Sequence, residues 1–271
     1  MRVVRRRPRP TRATRGRARW AAAAVVGAVA VASGVLTSCS SERPQAALPR
    51  TSTSSSPEAA AGPPQRPYCL GSDTGRFLTP AYGPNAWDRI LLLGSGTRGV
   101  VVGAQANGDL CQTLPFARRL VARGYHVAVF DWRPDSEDSA AMAAATAALA
   151  ASGAERIVVG GFSRGAVIAL GLSPDLGPSV VGVMSVSGGP FVADGYPTIR
   201  SVSRFRGPLL LVAARRDPVF PEGISQLIAA RHRGRDDLLV VPGADHALAL
   251  LEGPHAGRVR AAIDRFLARV T

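Results

Sequence analysis

The chain contains no lysine: all 33 of its basic residues are arginine. With 29 glycines, 21 prolines and abundant alanine, this is the imprint of GC-rich coding, so an arginine count says little about function. Aromatic residues are sparse, at 6% of the chain, and they do not interleave with arginine in a basic stripe. The formal charge of +14 points to nucleic acid only at first glance. Nine of those charges are arginines ahead of Cys39, a stretch with no acid, and only five remain on the rest of the chain. Together these features argue against a nucleic-acid partner. The four histidines and three cysteines nowhere gather with carboxylates at metal-ligand spacing, so no metal and no other cofactor is implied. There is no internal repeat and no complete twin-arginine motif.

The first 38 residues have the form of an export signal. An arginine-rich head, Met1 to Arg19, precedes an apolar Ala/Val-rich stretch from Trp20 to Leu36 and then Leu36-Thr37-Ser38-Cys39. That ending resembles the box of bacterial lipoproteins, in which the cysteine becomes the lipidated first residue. The resemblance implies lipidation at Cys39 and a membrane tether. A plain cleaved signal and an uncleaved anchor are the alternatives, and all three export the remainder. Residues 39–67 are rich in Ser, Thr, Pro, Ala and Gly without apolar periodicity. Such a segment cannot bury enough surface to order itself and reads as a linker. The folded domain is expected over residues 68–271.

Within that domain, short apolar runs alternate with helix-compatible segments. Strands are expected at Arg76 to Ala81, Ile90 to Leu93, Gly99 to Ala104, His126 to Phe130, Ile157 to Gly160, Val180 to Val186, Leu209 to Ala213 and Leu238 to Val241. Helices are expected at Pro115 to Arg123, with Pro in the first turn, and at Ser139 to Ala151, Glu222 to Arg233 and Pro254 to Val270. Such alternation means a mostly parallel sheet with helices on both faces.

One stretch carries the chemistry. Ile157-Val158-Val159-Gly160 runs into Gly161-Phe162-Ser163-Arg164-Gly165 and then an apolar helix. Gly-x-Ser-x-Gly between a strand and a helix is the nucleophile elbow, where a strained turn lifts the serine hydroxyl above the sheet. The glycines let strand and helix approach without a Cβ clash.

With these residues the domain resembles an α/β-hydrolase over nearly all of Tyr68 to Thr271. The resemblance implies a triad in the order Ser, Asp or Glu, His, each behind a strand. Ser163, Asp217 and His246 stand in that order and in those places. Ser163 would be the nucleophile, His246 the base and Asp217 the orienter. The backbone N–H groups of Arg164 and Gln105 would form the oxyanion hole, although Ala104-Gln105 stands where many relatives carry His-Gly. Arg164 could equally be a solvated or ion-paired first residue of its helix. Asp131, at the end of a strand, is the main rival to Asp217. Asp245 adjoins His246 and reads as a loop acid. His126, His232 and His255 read as solvated or structural. Serine at the elbow argues against dehalogenase-type members and against cysteine-using dienelactone hydrolases. The interval from Val186 to Leu209 is too short and polar for a large cap domain. Cys69 and Cys111, in an exported domain, point to one disulfide; two separate buried thiols are the other reading.

The expectation is a serine hydrolase acting on a small-molecule ester or other acyl substrate. Acyl transfer and peptide hydrolysis by the same triad are the alternatives within enzymes. A non-catalytic ligand-binding lipoprotein is the alternative outside them.

Overall fold

A computed structural model describes residues 67–70, 75–78, 89–132, 138–190 and 197–271. The leader, Cys39 and nearly all of the linker lie outside the described residues. In chain order the elements are β1 (Arg76–Leu78), β2 (Ile90–Leu93), β3 (Arg98–Gly103), α1 (Leu110–Val121), β4 (His126–Phe130), α2 (Asp138–Ala151), β5 (Arg156–Phe162) and α3 (Arg164–Leu172). Then follow β6 (Val180–Val186), α4 (Thr198–Arg204), β7 (Leu209–Ala214), α5 (Glu222–Arg231), β8 (Asp236–Val241), a 3-10 turn (Ala247–Leu251) and α6 (Ala256–Val270).

Strands β3 to β7 are buried almost end to end, which is what near-continuous runs of Val, Ile and Leu require of a sheet covered on both faces. The eight strands lie in the order β1-β2-β4-β3-β5-β6-β7-β8. Strands β3 to β8 are parallel, and β1 and β2 form an antiparallel edge. Alternation sorts the side chains. Val100, Val102, Val127, Val129 and Val158 join the core under α1 and α6. Val101, Ala128, Phe130, Ile157 and Val159 join the core under α2, α3 and α5. Burying one such branched side chain contributes about 1.5–3 kcal/mol, so a one-residue slip of register would expose a whole face. This is the α/β-hydrolase fold, and among the described residues only α4 lies between β6 and β7.

The connections reverse at β3. The chain leaves β3 through α1 to β4 on one side, then returns through α2 to β5 on the other. The crevice between the carboxyl ends of β3 and β5 is therefore a topological switch point, where open α/β sheets place ligands.

Two local features differ from the sequence expectation. Helix α1 begins at Leu110, five residues ahead of Pro115, which sits inside the helix. Two acids make the earlier start possible. Asp109 accepts the Gln112 N–H at 3.2 Å, and Asp131 accepts the Leu110 N–H at 2.9 Å, so donors otherwise left without partners are satisfied. Between β6 and β7 lies α4, a seven-residue helix that buries Thr198, Ser201 and Val202. Its sequence is too short and polar to announce a helix, and tertiary burial creates it.

Cys69 and Cys111 form a disulfide with Cα atoms 5.6 Å apart. It ties the segment around Leu70 to the first turn of α1. Among the described residues no helix is long and apolar enough to cross a membrane.

Candidate active site

The site is built from the end of β5. Ser163 has φ 48° and ψ −107°, a conformation that costs a non-glycine residue about 1–3 kcal/mol and persists only where its surroundings enforce it. Three hydrogen bonds enforce it here. The Ser163 N–H donates to the Val186 carbonyl at 2.9 Å, the Val167 N–H to the Ser163 carbonyl at 2.9 Å, and the Gly165 N–H to the Ala104 carbonyl at 3.0 Å. A Cβ on Gly161 or on Gly165 would overlap the Gly103 carbonyl oxygen. The two glycines are thus demanded by how closely β3 approaches the elbow. Phe162, fully buried, meets Phe116 edge-on with ring centroids 5.4 Å apart.

Asp217 follows β7 and His246 follows β8. His246 Nδ1 lies 2.8 Å from Asp217 Oδ2 and 2.9 Å from Oδ1. Oδ1 also accepts the N–H groups of Val219 and Phe220, at 2.9 and 3.1 Å, so the carboxylate is anchored by its own loop. An ionised carboxylate only accepts, which assigns a proton to Nδ1 and leaves Nε2 of the neutral ring as a base. The Asp217 side chain is fully shielded, whereas that of His246 is 23% exposed. The ring of Phe220 packs beside the imidazole, centroids 6.0 Å apart.

The loop carrying His246 is tied to the elbow through β6. Val186 holds Ser163, and the next residue, Ser187, accepts the Ala247 N–H on its hydroxyl at 3.0 Å. The Gly165 bond to Ala104 brings Arg164 beside Gln105. The Gln105 carbonyl accepts the Gly108 N–H at 3.0 Å and Trp132 Nε1 at 3.2 Å, and no described group accepts the Gln105 N–H. The Arg164 guanidinium lies 5.3 Å from the centre of the Trp132 ring. Ser163 thus stands just beyond β5, and the His246–Asp217 pair stands on the loops that follow β8 and β7.

The other candidates lie elsewhere or are committed. Asp131 pairs with Arg89 and accepts from Leu110, while burial pushes its carboxyl above the usual range. His126 starts β4, in register with Gly99, at the opposite end of the sheet from Ser163, and burial holds its pKa below the ordinary value. His232 is buried against Phe205 and pairs with Asp236, a partnership the sequence did not reveal. His255 caps α6. The Asp245 carboxylate turns toward Gly253. A groove of about 400 Å³ between β8 and α6 includes none of the site's residues. Sequence reasoning also missed Trp132, Ser187 and Phe220 because nothing local marks them: each acts through a partner distant in the chain.

No protein-family model and no curated protein sequence matches the chain. Solved structures do. Esterase 2 of Thermogutta terrifontis, phosphoramylated by tabun, superposes with a TM-score of 0.61 at 14% identity, over 76% of this chain and 98% of that one. A monoacylglycerol lipase of Paleococcus ferrophilus does so with a TM-score of 0.58 at 13% identity, over 68% and 99%. The esterase domain of a Rhodothermus marinus protein gives 0.54 at 16% identity, over 67% and 92%. At these identities the likeness is one of fold.

Proposed function

We propose that the chain is a serine hydrolase that cleaves carboxylic esters through Ser163, His246 and Asp217. The observation that carries this reading is the pairing of His246 with the shielded Asp217 carboxylate on a loop tied to a strained Ser163. Strain at a serine and a fixed imidazole tautomer serve no packing purpose that glycine and an apolar residue would not serve more easily. The esterases and lipases among the structural neighbours support the reaction class.

The steps follow from the roles. Ser163 Oγ attacks the ester carbonyl carbon as His246 Nε2 takes its proton. The carbonyl π pair moves to oxygen, and the resulting oxyanion accepts from the N–H groups of Arg164 and Gln105. Trp132 and Gly108 hold the Gln105 carbonyl and so anchor the loop that carries the backbone donor, where the expected His-Gly is missing. As the intermediate collapses, the alkoxide leaves with the proton from His246, and an acyl-Ser163 remains. Water, deprotonated by His246, repeats the sequence and releases the acid. With only α4 described between β6 and β7 and Val219 53% exposed beside the acid, the reading takes the mouth to be open to water. That favours hydrolysis over acyl transfer, and soluble short-chain esters without interfacial activation.

The proposal extends to location: an extracytoplasmic protein tethered by lipid at Cys39. One acyl chain binds membranes only marginally, so a stable tether needs more than one. Metabolic fatty-acid labelling that survives Cys39→Ala undiminished contradicts it. The test of the enzyme is covalent labelling by a fluorophosphonate. We expect one equivalent on wild-type protein and none on folded Ser163→Ala; equal labelling or equal ester turnover in that variant removes the serine mechanism.

A further inference from the structure

Ser187 stands one residue beyond β6, at the junction of the two halves of the site. It is fully buried, its N–H donates to the Val212 carbonyl at 2.8 Å, and its hydroxyl accepts the Ala247 N–H at 3.0 Å. Its backbone has φ 53°. Ala247, also fully buried, has φ 53° as well and directly follows His246. Neither is glycine, and neither is a residue that visits the left-handed region readily. Paired strain of this kind persists only where other contacts over-determine it, and here the two strained residues are the two ends of one hydrogen bond.

The bond completes a short path. The Val186 carbonyl accepts the Ser163 N–H at 2.9 Å, the chain continues to Ser187, and the Ser187 hydroxyl grips the peptide joining His246 to Ala247. Asp217 fixes the rotation of the imidazole from its Nδ1 side. It does not fix how far the His246 backbone stands from the elbow. The contact between Ser187 and Ala247 spans that interval, from a strand that also holds Ser163.

We infer that Ser187 is a positioning residue whose hydroxyl, by clamping the Ala247 amide, sets the separation and angle between His246 Nε2 and Ser163 Oγ. The inference rests on the reading of Ser163 and His246 as nucleophile and base. Misplacement by about 1 Å can cost on the order of 100-fold in rate, so a buried hydrogen bond one residue from the base is a sensitive control. Serine suits the position because it supplies the acceptor without the branching at Cβ that would aggravate a left-handed backbone.

The test compares the full chain with Ser187→Ala, Ser187→Gly and Ser187→Cys, each well below its thermal transition. Two readouts are taken: steady-state hydrolysis of p-nitrophenyl acetate, and NMR titration of the histidine rings. We expect kcat to fall about 10- to 100-fold in the Ala and Gly variants with KM within about twofold. Ser187→Cys, which keeps a weak sulfur acceptor, should recover part of the loss. The His246 ring signals and titration midpoint should move while those of His126, His232 and His255 stay. A role in stability alone would lower the melting temperature and leave kcat and the His246 signals in place. Ser187→Gly relieves the left-handed strain, so it carries the test should Ser187→Ala fail to fold. Wild-type kcat and wild-type His246 signals in folded Ser187→Gly overturn the inference. If wild-type protein neither turns over the ester nor takes up fluorophosphonate, yet the variants still displace the His246 signals, the hydrolase reading falls and the clamp stands.

Discussion

His246 is held by both oxygens of Asp217, with Nδ1 at 2.8 Å from Oδ2 and 2.9 Å from Oδ1. The carboxylate keeps its place without the histidine, because the Val219 and Phe220 N–H groups also hold it. Asp131, the main rival for this role, gives its oxygens to Arg89 and the start of α1. The two acids therefore make a matched pair of controls.

Asp217→Asn should lower kcat by on the order of 10⁴, since an amide no longer enforces the tautomer that leaves Nε2 free. Near-native unfolding midpoints are expected, because an amide oxygen can still accept the Val219 and Phe220 N–H groups. Asp131→Asn should do the reverse: kcat within about tenfold, with the loss appearing in denaturant unfolding as α1 and Arg89 lose a charged acceptor. A larger fall in kcat for Asp131→Asn than for Asp217→Asn assigns the acid wrongly.

Glycines near the elbow and on the helices should respond in opposite directions. A Cβ on Gly165 overlaps the carbonyls of Gly103 and Ala104, which are backbone and cannot turn aside. Gly165→Ala should cost about 3 kcal/mol or more, at the upper end for overpacking, or abolish soluble expression. Gly257 lies in α6 with nothing near its missing Cβ and no left-handed φ. Gly257→Ala should gain up to about 1 kcal/mol through helix propensity and a less free unfolded chain. Urea unfolding of both variants measures the contrast.

The disulfide between Cys69 and Cys111 closes a loop across a sequence separation of 42. Restricting the unfolded chain in this way stabilises by about 2–4 kcal/mol. Cys69→Ser with Cys111→Ser should therefore unfold at lower denaturant while retaining turnover, because the bridge lies at the start of α1 and outside the reacting groups. Intact mass under non-reducing alkylation should show neither cysteine modified in wild-type protein purified without reductant; two alkylated thiols contradict it.

Burial lowers the pKa of His126 from its ordinary 6.5. Between the lowered value and 6.5 the unfolded chain binds a proton that the folded chain does not, so stability rises with pH across that window. It is lost again as pH falls through the folded-state value. Asp131 has the opposite sign: its raised pKa makes stability fall as pH rises through a window just above 3.8. His126→Asn should flatten the gain in unfolding free energy as pH rises toward 6.5, and Asp131→Asn should not. Chemical denaturation at several pH values distinguishes them.

Local pattern determined much of this protein. Strands and most helices are readable because burial imposes periods of two and of about 3.6 on apolar residues, and the chain obeys both. The elbow is readable because the approach of β3 tolerates only glycine at 161 and 165, which leaves a spaced signature. That Ser163, Asp217 and His246 each follow a strand is readable because strand ends are visible in the apolar pattern. Tertiary structure alone decided the rest. Leu110, and not Pro115, opens α1 because Asp131 reaches it from a strand end 21 positions later. Residues 198–204 become a helix because α3 and α5 offer a place to bury Thr198, Ser201 and Val202. Ser187 meets Ala247 across 60 positions. None of these partnerships has a period or a spacing, since a hydrogen bond between distant residues leaves no mark on the sequence around either one. The sequence shows which polar residues follow the strand ends, and the packing of those strand ends decides which of them meet.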